Sequence, residues 1–509
     1  MSMPILSISA GKHKYIICLA VILFLFIAFM QKRSLMSTKL LVEANLPVTS
    51  DPVEFDNLAN HFVFPAVLST LVTDSFKGST TGIIAESWTT DQKLDEWSFK
   101  IRENIYFSNG DLITPNAVLK CFHRLIHEFK KRESRYHAFV DLKGFDEYEK
   151  LGDEIDGIKV EGNVLRLSFN KAKPNLLEDL GFGLYSVAHE SNWDPITGAW
   201  IADIDETVSS GFYEIVSSSE ETISIALRED FLPNLRLSSA FDKIEFQSRD
   251  KIKKTEPAVV FGKIINGHAT SKLQNHEFFS PFNSADMMFA RVMSHTKHPI
   301  LSDPNNRRIL RNLTYKRMGI QPGERTFIPA FFLKDPKFLM SAYEESSEHS
   351  KPLTGYDLKL TYKKTGTPVD KFYPYLEEAA VELGAKVTWV EGVKYSDLFD
   401  ELNPGTENHT VDIYTWVSGL GHSDPNEVLK FMVMSGEGIR LPDPSGELAD
   451  LVGTQNFSRE KFEEILHRDA AIWPLGTVSV GFFYDKDVVS FSDLNASTMS
   501  INWAFISTN

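Results

Sequence analysis

Cysteine is close to absent. The chain of 509 residues has two, Cys18 inside an N-terminal apolar run and Cys121 on a helical apolar face. With the first in a membrane or removed, no intramolecular disulfide can form, so cysteine usage carries no information about an oxidising compartment. Cys121 reads as a buried structural thiol, not a nucleophile. Basic charge is in deficit: 53 Lys and Arg against 69 Asp and Glu give a net charge of −16. A nucleic-acid partner needs clustered cations, so the balance argues against one, and the acid excess serves solubility. Enzyme signatures are missing: no G-x-S-x-G elbow, no phosphate-binding Gly-rich loop with Lys-Ser/Thr, no His-Glu-x-x-His and no Cys-x-x-Cys. His123 and His127 stand at i, i+4 and His295 and His298 lie three apart, but each pair lacks a nearby third ligand. They read as surface histidines, and no metal or cofactor is expected. Internal repeats, low-complexity tracts and long disordered linkers are absent too.

What is present begins with length: 509 residues make room for two or three domains, and 42% hydrophobic with 24% charged residues is the balance of a soluble globular protein. Residues 15–30 are sixteen consecutive apolar positions between Lys12, Lys14 and Lys32, Arg33. The run is short for a spanning helix and long for a signal-peptide core. No cleavage site of small residues and no lipobox stands out. It reads as an export signal, either cleaved or kept as a membrane anchor.

The stretch around which the chain is organised runs from Gly82 to Phe129. Trp97, Phe99 and Ile101 alternate with Ser98, Lys100 and Arg102, a strand with one wet face. Ile105 and Phe107 predict a short second strand, and Ser108-Asn109-Gly110-Asp111 a tight turn. Thr114 stands at an N-cap with Pro115 at the first helical position. Val118, Cys121, Phe122, Leu125, Ile126 and Phe129 then recur at helical spacing. Ala85-Glu86-Ser87-Trp88, Phe99-Lys100-Ile101-Arg102, Phe107-Ser108-Asn109-Gly110 and Thr114-Pro115-Asn116-Ala117-Val118 follow in order. Together they resemble the N-terminal signature of the solute-binding proteins that serve dipeptide and oligopeptide ABC importers (family 5). Asn116-Ala117 stands where that family has Glu/Asp-Asp.

The resemblance extends over residues 39–490. Leu40-Leu41-Val42 is a short buried strand, Ser50-Asp51-Pro52 a turn, and an apolar helix is expected from about Asn60 to Leu71. Residues 130–156 are charge-rich and read as a surface helix and loop. A hairpin is expected over 157–169 about Gly162-Asn163, then a helix from Pro174 to Leu180. Ser209-Ser210-Gly211-Phe212-Tyr213 matches the family's Gly-Thr-Gly-Pro-Tyr without its first Gly and Pro. Strands are expected at 222–228 and 241–246. Val259–Asn266 resembles a short family helix. Pro304–Met318 reads as an Arg-rich helix with a solvated basic face. Strand 358–361, helix 372–383 closed by Gly384, and strand 386–390 make a β-α-β unit, which requires a parallel sheet. Residues 411–431 read as strand, Gly-containing loop, turn and helix. Ala471–Tyr484 resembles the segment that crosses back to the first lobe.

The resemblance implies an α/β, two-lobe type II periplasmic-binding-protein-like fold with an extra N-terminal subdomain and hinge strands between the lobes. Expected bounds are 1–36 for the signal or anchor and 37–250 for lobe I, with the subdomain at about 61–185. Lobe II takes 251–475, and 476–509 return to lobe I. The implied function is extracytoplasmic capture of a small solute, first a peptide, and delivery to the permease subunits of an ABC importer. The protein would be monomeric, non-enzymatic, and periplasmic or at the outer face of the inner membrane, held there by 15–30 if uncleaved. The alternative is a sensor or scaffold that keeps the fold without transport. Trp416 is the first ligand-contact candidate, with a core aromatic as the competing reading. Ser418, Gly419, Asp424, Phe55 and Asn57 follow, the last two equally readable as ordinary loop residues. In peptide-binding relatives an aspartate three residues after the cleft Trp meets the ligand's α-ammonium. Counted from Trp416, Gly419 holds that place.

Overall fold

The computed structural model describes residues 39–54, 60–76, 79–132, 137–232, 234–235, 240–248, 257–265, 268–269, 276–279, 286–292, 299–319, 351–361, 372–391, 410–418, 433, 443, 445–452, 458–491 and 503–508. Thr114 caps the helix Pro115–Lys131, its Oγ1 accepting from the Ala117 N–H at 3.1 Å. The apolar stripe Val118, Cys121, Phe122, Leu125, Ile126 and Phe129 is buried. Glu96–Ile101 buries Trp97, Phe99 and Ile101 and pairs antiparallel with Ala85–Thr90 and Val164–Ser168. Ile158–Glu161 completes a four-stranded antiparallel sheet through the Gly162-Asn163 turn. At Ile105–Phe107 only a bridge from Tyr106 to Leu112 forms, because the chain reverses within four residues about Gly110.

The charged stretch differs from its reading. The helix stops at Lys131, and 137–157 fold as successive turns. Phe139, Leu142, Phe145 and Tyr148 recur every third residue and are buried, with Phe139 5.0 Å from Phe122 ring to ring. Their side chains override the charges around them. Lys130 Nζ donates to the carbonyls of Phe145, Asp146 and Tyr148 at 3.0, 2.9 and 2.6 Å, tying these turns to the helix.

Apart from two short two-stranded ladders, Val72–Phe76 with Ser79–Gly82 and Val489–Ser490 with Ser507–Thr508, the remaining described strands form one twelve-stranded sheet. From one edge the order is Lys386–Trp389, Asp357–Leu360, Ile413–Ser418, Asp286–Val292, Ile472–Tyr484, Val259–Ile265, Lys39–Glu43, Lys243–Gln247, Thr222–Leu227 and Tyr213–Ser218. The expected β-α-β unit is present: Asp357–Leu360 and Lys386–Trp389 are parallel, joined through the helix Phe372–Glu382. Gly384 supplies the left-handed φ of 93° that ends that helix.

Three expectations are corrected. Val259–Ile265 is a strand, not a helix: Val259-Val260-Phe261 and Ile264-Ile265 suit a position laddered to Lys39–Glu43 and Ile472–Tyr484. The helix starting at Asn60 ends at Val67, short of Leu71, because Val72 already enters a strand. The basic face of the helix Pro304–Met318 is solvated only in part: Lys316 is exposed and Arg308 and Arg317 half-buried, but Arg307 and Arg311 are each 1% exposed. Their guanidinium groups serve backbone carbonyls of a neighbouring segment. Far along the chain, the buried Trp503 donates its indole N–H to the Phe62 carbonyl. Its ring packs against Phe246, Phe482 and Phe491.

Candidate functional site

The pairing registers show where the two halves of the large sheet meet. Ile472–Tyr484 is a strand of 13 residues shared by both halves of the sheet. Its residues 472–478 pair with Asp286–Val292, and residues 478–484 pair with Val259–Ile265. Lys39–Glu43 runs parallel to Val259–Ile265, so it advances from the level of Tyr484 towards that of Val478. Ile413–Ser418 is antiparallel to Asp286–Val292 and advances from the opposite end, Ser418 facing Met287, which faces Thr477. Glu43 stands level with Phe483 and Ser418 with Thr477, so the two strands, one from each half, advance towards one another along the shared strand. Ligands of open α/β sheets sit outside the carboxyl ends of strands.

Trp416 and Ser418 lie on the second of these two strands, Trp416 paired with Phe289. Thr415, just before, is fixed: its backbone N–H donates to the Tyr373 hydroxyl at 3.1 Å, and the two hydroxyls lie 3.0 Å apart. Asp412 anchors the strand's start, accepting from the Lys359 N–H at 2.7 Å while its own N–H donates to the Lys359 carbonyl. Gly419, Asp424, Phe55 and Asn57 lie outside the described residues, as do His295, His298, Cys18 and the apolar run 15–30.

From the other half comes the loop that leaves Glu43. Sequence reasoning found its Asp-Pro turn and missed what holds it. Asp51, 7% exposed, accepts Arg124 Nη1 at 2.8 Å and Nη2 at 2.6 Å, and Arg124 is 1% exposed. Arg124 Nε donates to the Gly198 carbonyl, and its guanidinium lies 5.7 Å from the Trp193 ring and 5.1 Å from Trp200. Trp200 donates to Ser50 Oγ, which pairs with Thr207 Oγ1. Asp51 Oδ1 also takes the Val53 N–H, and Arg132 pairs with Glu54. Arg124 flanks the apolar stripe of its helix without breaking it, so the sequence carried no signal of its burial.

No group of three or more His, Cys, Asp or Glu that could hold a metal occurs among the described residues. His123 and His127 are half-buried, not surface groups. Burial pushes the His123 imidazole below its usual range. No helix among the described residues is long and apolar enough to cross a membrane.

Residues 80–310 match the model of the bacterial extracellular solute-binding proteins, family 5 Middle. A segment of 85 residues is 36% identical to the probable D,D-dipeptide-binding periplasmic protein DdpA of Escherichia coli (strain K12), covering 16% of each protein. The chain thus spans about one sixth of that curated relative. Among solved structures, Haemophilus influenzae OppA complexed with RPPGFSPFR superposes with a TM-score of 0.70 at 14% identity, over 93% of this chain and 99% of that one. The Escherichia coli murein tripeptide binding protein MppA gives 0.68 at 14% identity, over 93% and 98%. At such identity these neighbours establish the fold, a two-lobe type II periplasmic-binding-protein architecture of mixed α/β content. With the signature in residues 80–310 and that fold around it, the chain resembles the family 5 extracellular solute-binding proteins, as a divergent relative.

Proposed function

We propose that the protein captures a small solute, a peptide first among candidates, between its two lobes outside the cytoplasm and hands it to the permease of an ABC importer. The observation that supports this reading is the opposed course of Lys39–Glu43 and Ile413–Ser418, one from each half, which advance towards one another along the shared strand. A solute held there is shielded from water, so polar contacts to it count for more than at a surface. Closure over the solute is the state a permease would read, and binding shifts the population towards it. Trp416, Ser418, Gly419, Asp424, Phe55 and Asn57 are the proposed contacts. Domain bounds at 37–250, 251–475 and 476–509, a monomeric state, and tethering through 15–30 where that segment stays uncleaved complete the proposal. The reading needs no catalytic group.

A sensor or scaffold without transport is the second reading. It is favoured by Gly419, at the place where peptide-binding relatives carry the carboxylate for the ligand's α-ammonium. A thermal-shift screen with defined peptides, oligosaccharides and metal chelates tests binding itself. A ligand at about 100 times its Kd stabilises by about 2.7 kcal/mol. A melting temperature that climbs with concentration of one class identifies it. Failure of all classes removes the capture reading and leaves the scaffold.

A further inference from the structure

Arg307, Arg311 and Tyr315 stand at i, i+4, i+8 on the helix Pro304–Met318, one stripe of one face. All three are 1% exposed. Each donates to a main-chain carbonyl of the same short stretch, the lead-in to the strand shared by the two halves. Arg307 Nε donates to the Asp469 carbonyl at 2.7 Å, and its Nη1 to Leu301 and Ser302 at 2.6 and 3.0 Å. Arg311 Nη1 donates to the His467 carbonyl at 3.0 Å. The Tyr315 hydroxyl donates to the Pro474 carbonyl. His467 and Asp469 close the helix Arg459–Asp469, whose last carbonyls have no intrahelical donor and form the negative end of its dipole. Two guanidinium groups therefore meet carbonyls that need donors, which is how their burial is offset.

Beyond Asp469 the chain turns through Ala470, left-handed at φ 47°, and enters the shared strand. Trp473, fully buried, donates its indole N–H back to the Ala470 carbonyl at 2.7 Å. The ladder then slips. Phe289 faces Pro474 and Met288 faces Gly476, so Leu475 is an extra residue, a β-bulge. Pro474 brings no N–H and Gly476 no side chain, both weak points in a ladder. Among the described residues, 472–477 are laddered on one edge, to Asp286–Val292; at Val478, which faces both partners, the ladder passes to the other edge, to Val259–Ile265, and beyond it a second partner stands only at 482–484. The bulge thus lies between a clamped lead-in and the point where the strand changes partners.

We propose that Arg307, Arg311 and Tyr315 are positioning residues for closure of the two lobes: they immobilise the lead-in up to Pro474 and confine the pivot to the bulge at Leu475. This rests on the solute-capture reading, but its test needs no solute. Spin labels on exposed cysteines at Lys159→Cys and Val381→Cys, one in each half, report the distance distribution between halves in the unliganded protein. Cys121 is buried and stays unlabelled, and Cys18→Ser in the parent and every variant removes the other thiol. Tyr315→Phe deletes one hydroxyl and keeps the ring, so the protein folds. Its distance distribution broadens and shifts relative to the parent. Arg311→Lys, which retains one donor, gives a smaller change in the same direction. Leu376→Ala, a cavity in the neighbouring helix that touches none of the three carbonyls, lowers the melting temperature without moving the distribution. If Tyr315→Phe and the parent coincide, or if Leu376→Ala shifts the distances as much, the proposal is overturned. A failed ligand screen leaves this outcome untouched.

Discussion

Arg124 and Asp51 form a buried pair with two short contacts, and removing one partner strands the other charge in a dry site. Arg124→Met should cost about 3–5 kcal/mol, and Arg124→Met with Asp51→Leu clearly less, because no charge is then left unpaired. Urea denaturation of the single and double variants measures this. Gly211 is constrained differently. A Cβ there would lie 2.4 Å from the Ala66 carbonyl oxygen and 2.8 Å from that of Val67, both rigid backbone. Gly211→Ala should destabilise sharply while Gly110→Ala, with nothing within 4 Å but a φ of +90°, meets backbone strain alone. Cys121 was readable in advance: its place in an apolar stripe put it inside. Burial pushes its thiol up to about 11, so a disulfide reagent at pH 8 should react only on unfolding. Arg307 and Arg311 were not readable. An arginine on a helix looks alike in sequence whether it faces water or the carbonyls of a segment more than 150 residues away. Burial lowers the Arg307 guanidinium to about 10, a mark of that interior place.

Elements whose limits are set by their own residues were legible. The Thr114-Pro115 start, the Gly162-Asn163 hairpin and the Gly384 stop each state a backbone requirement locally. Thr114→Ala should accordingly cost about 1 kcal/mol, with Thr114→Ser near neutral, read from the urea midpoint. Val259–Ile265 failed because a seven-residue apolar run has no period that separates a buried strand from a short helix. Only its neighbours decide it, and they come from positions 42 and 484. The turns over 137–157 failed for a related reason: an apolar residue every third position was masked by the surrounding charge. Of the candidate site, the strand carrying Trp416 and Ser418 was legible through the family resemblance about Asp412 and Trp416, but the buried support of the loop after Glu43 was not.

At the scale of the molecule, several carboxylates are tied to cations across elements. The Lys143 ammonium and the Ser168 hydroxyl hold Glu96 below its usual range, and Lys39 does the same for Glu245. A depressed folded-state value means that the stabilisation is present above the unfolded value of about 4.3 and fades as pH falls through the folded one. Stability should therefore decline below about pH 5, and Glu96→Gln with Glu245→Gln should flatten that decline in urea titrations. The order of strands in the large sheet was the least legible property. The β-α-β unit announced a parallel pair, yet nothing local shows that Lys39–Glu43 lies between Lys243–Gln247 and Val259–Ile265.

That interleaving reaches its extreme at Trp503, whose indole closes over Phe62. During synthesis the first half is made early but stays without this plug until more than four hundred further residues have emerged. Until then Phe62 and Phe246 lack the cover that Trp503 gives. The first half should therefore stay incompletely packed for most of elongation. Trp503→Ala should leave the early half exposed as well, visible as dye binding by the newly released chain before any loss of the four-stranded sheet's far-ultraviolet signal.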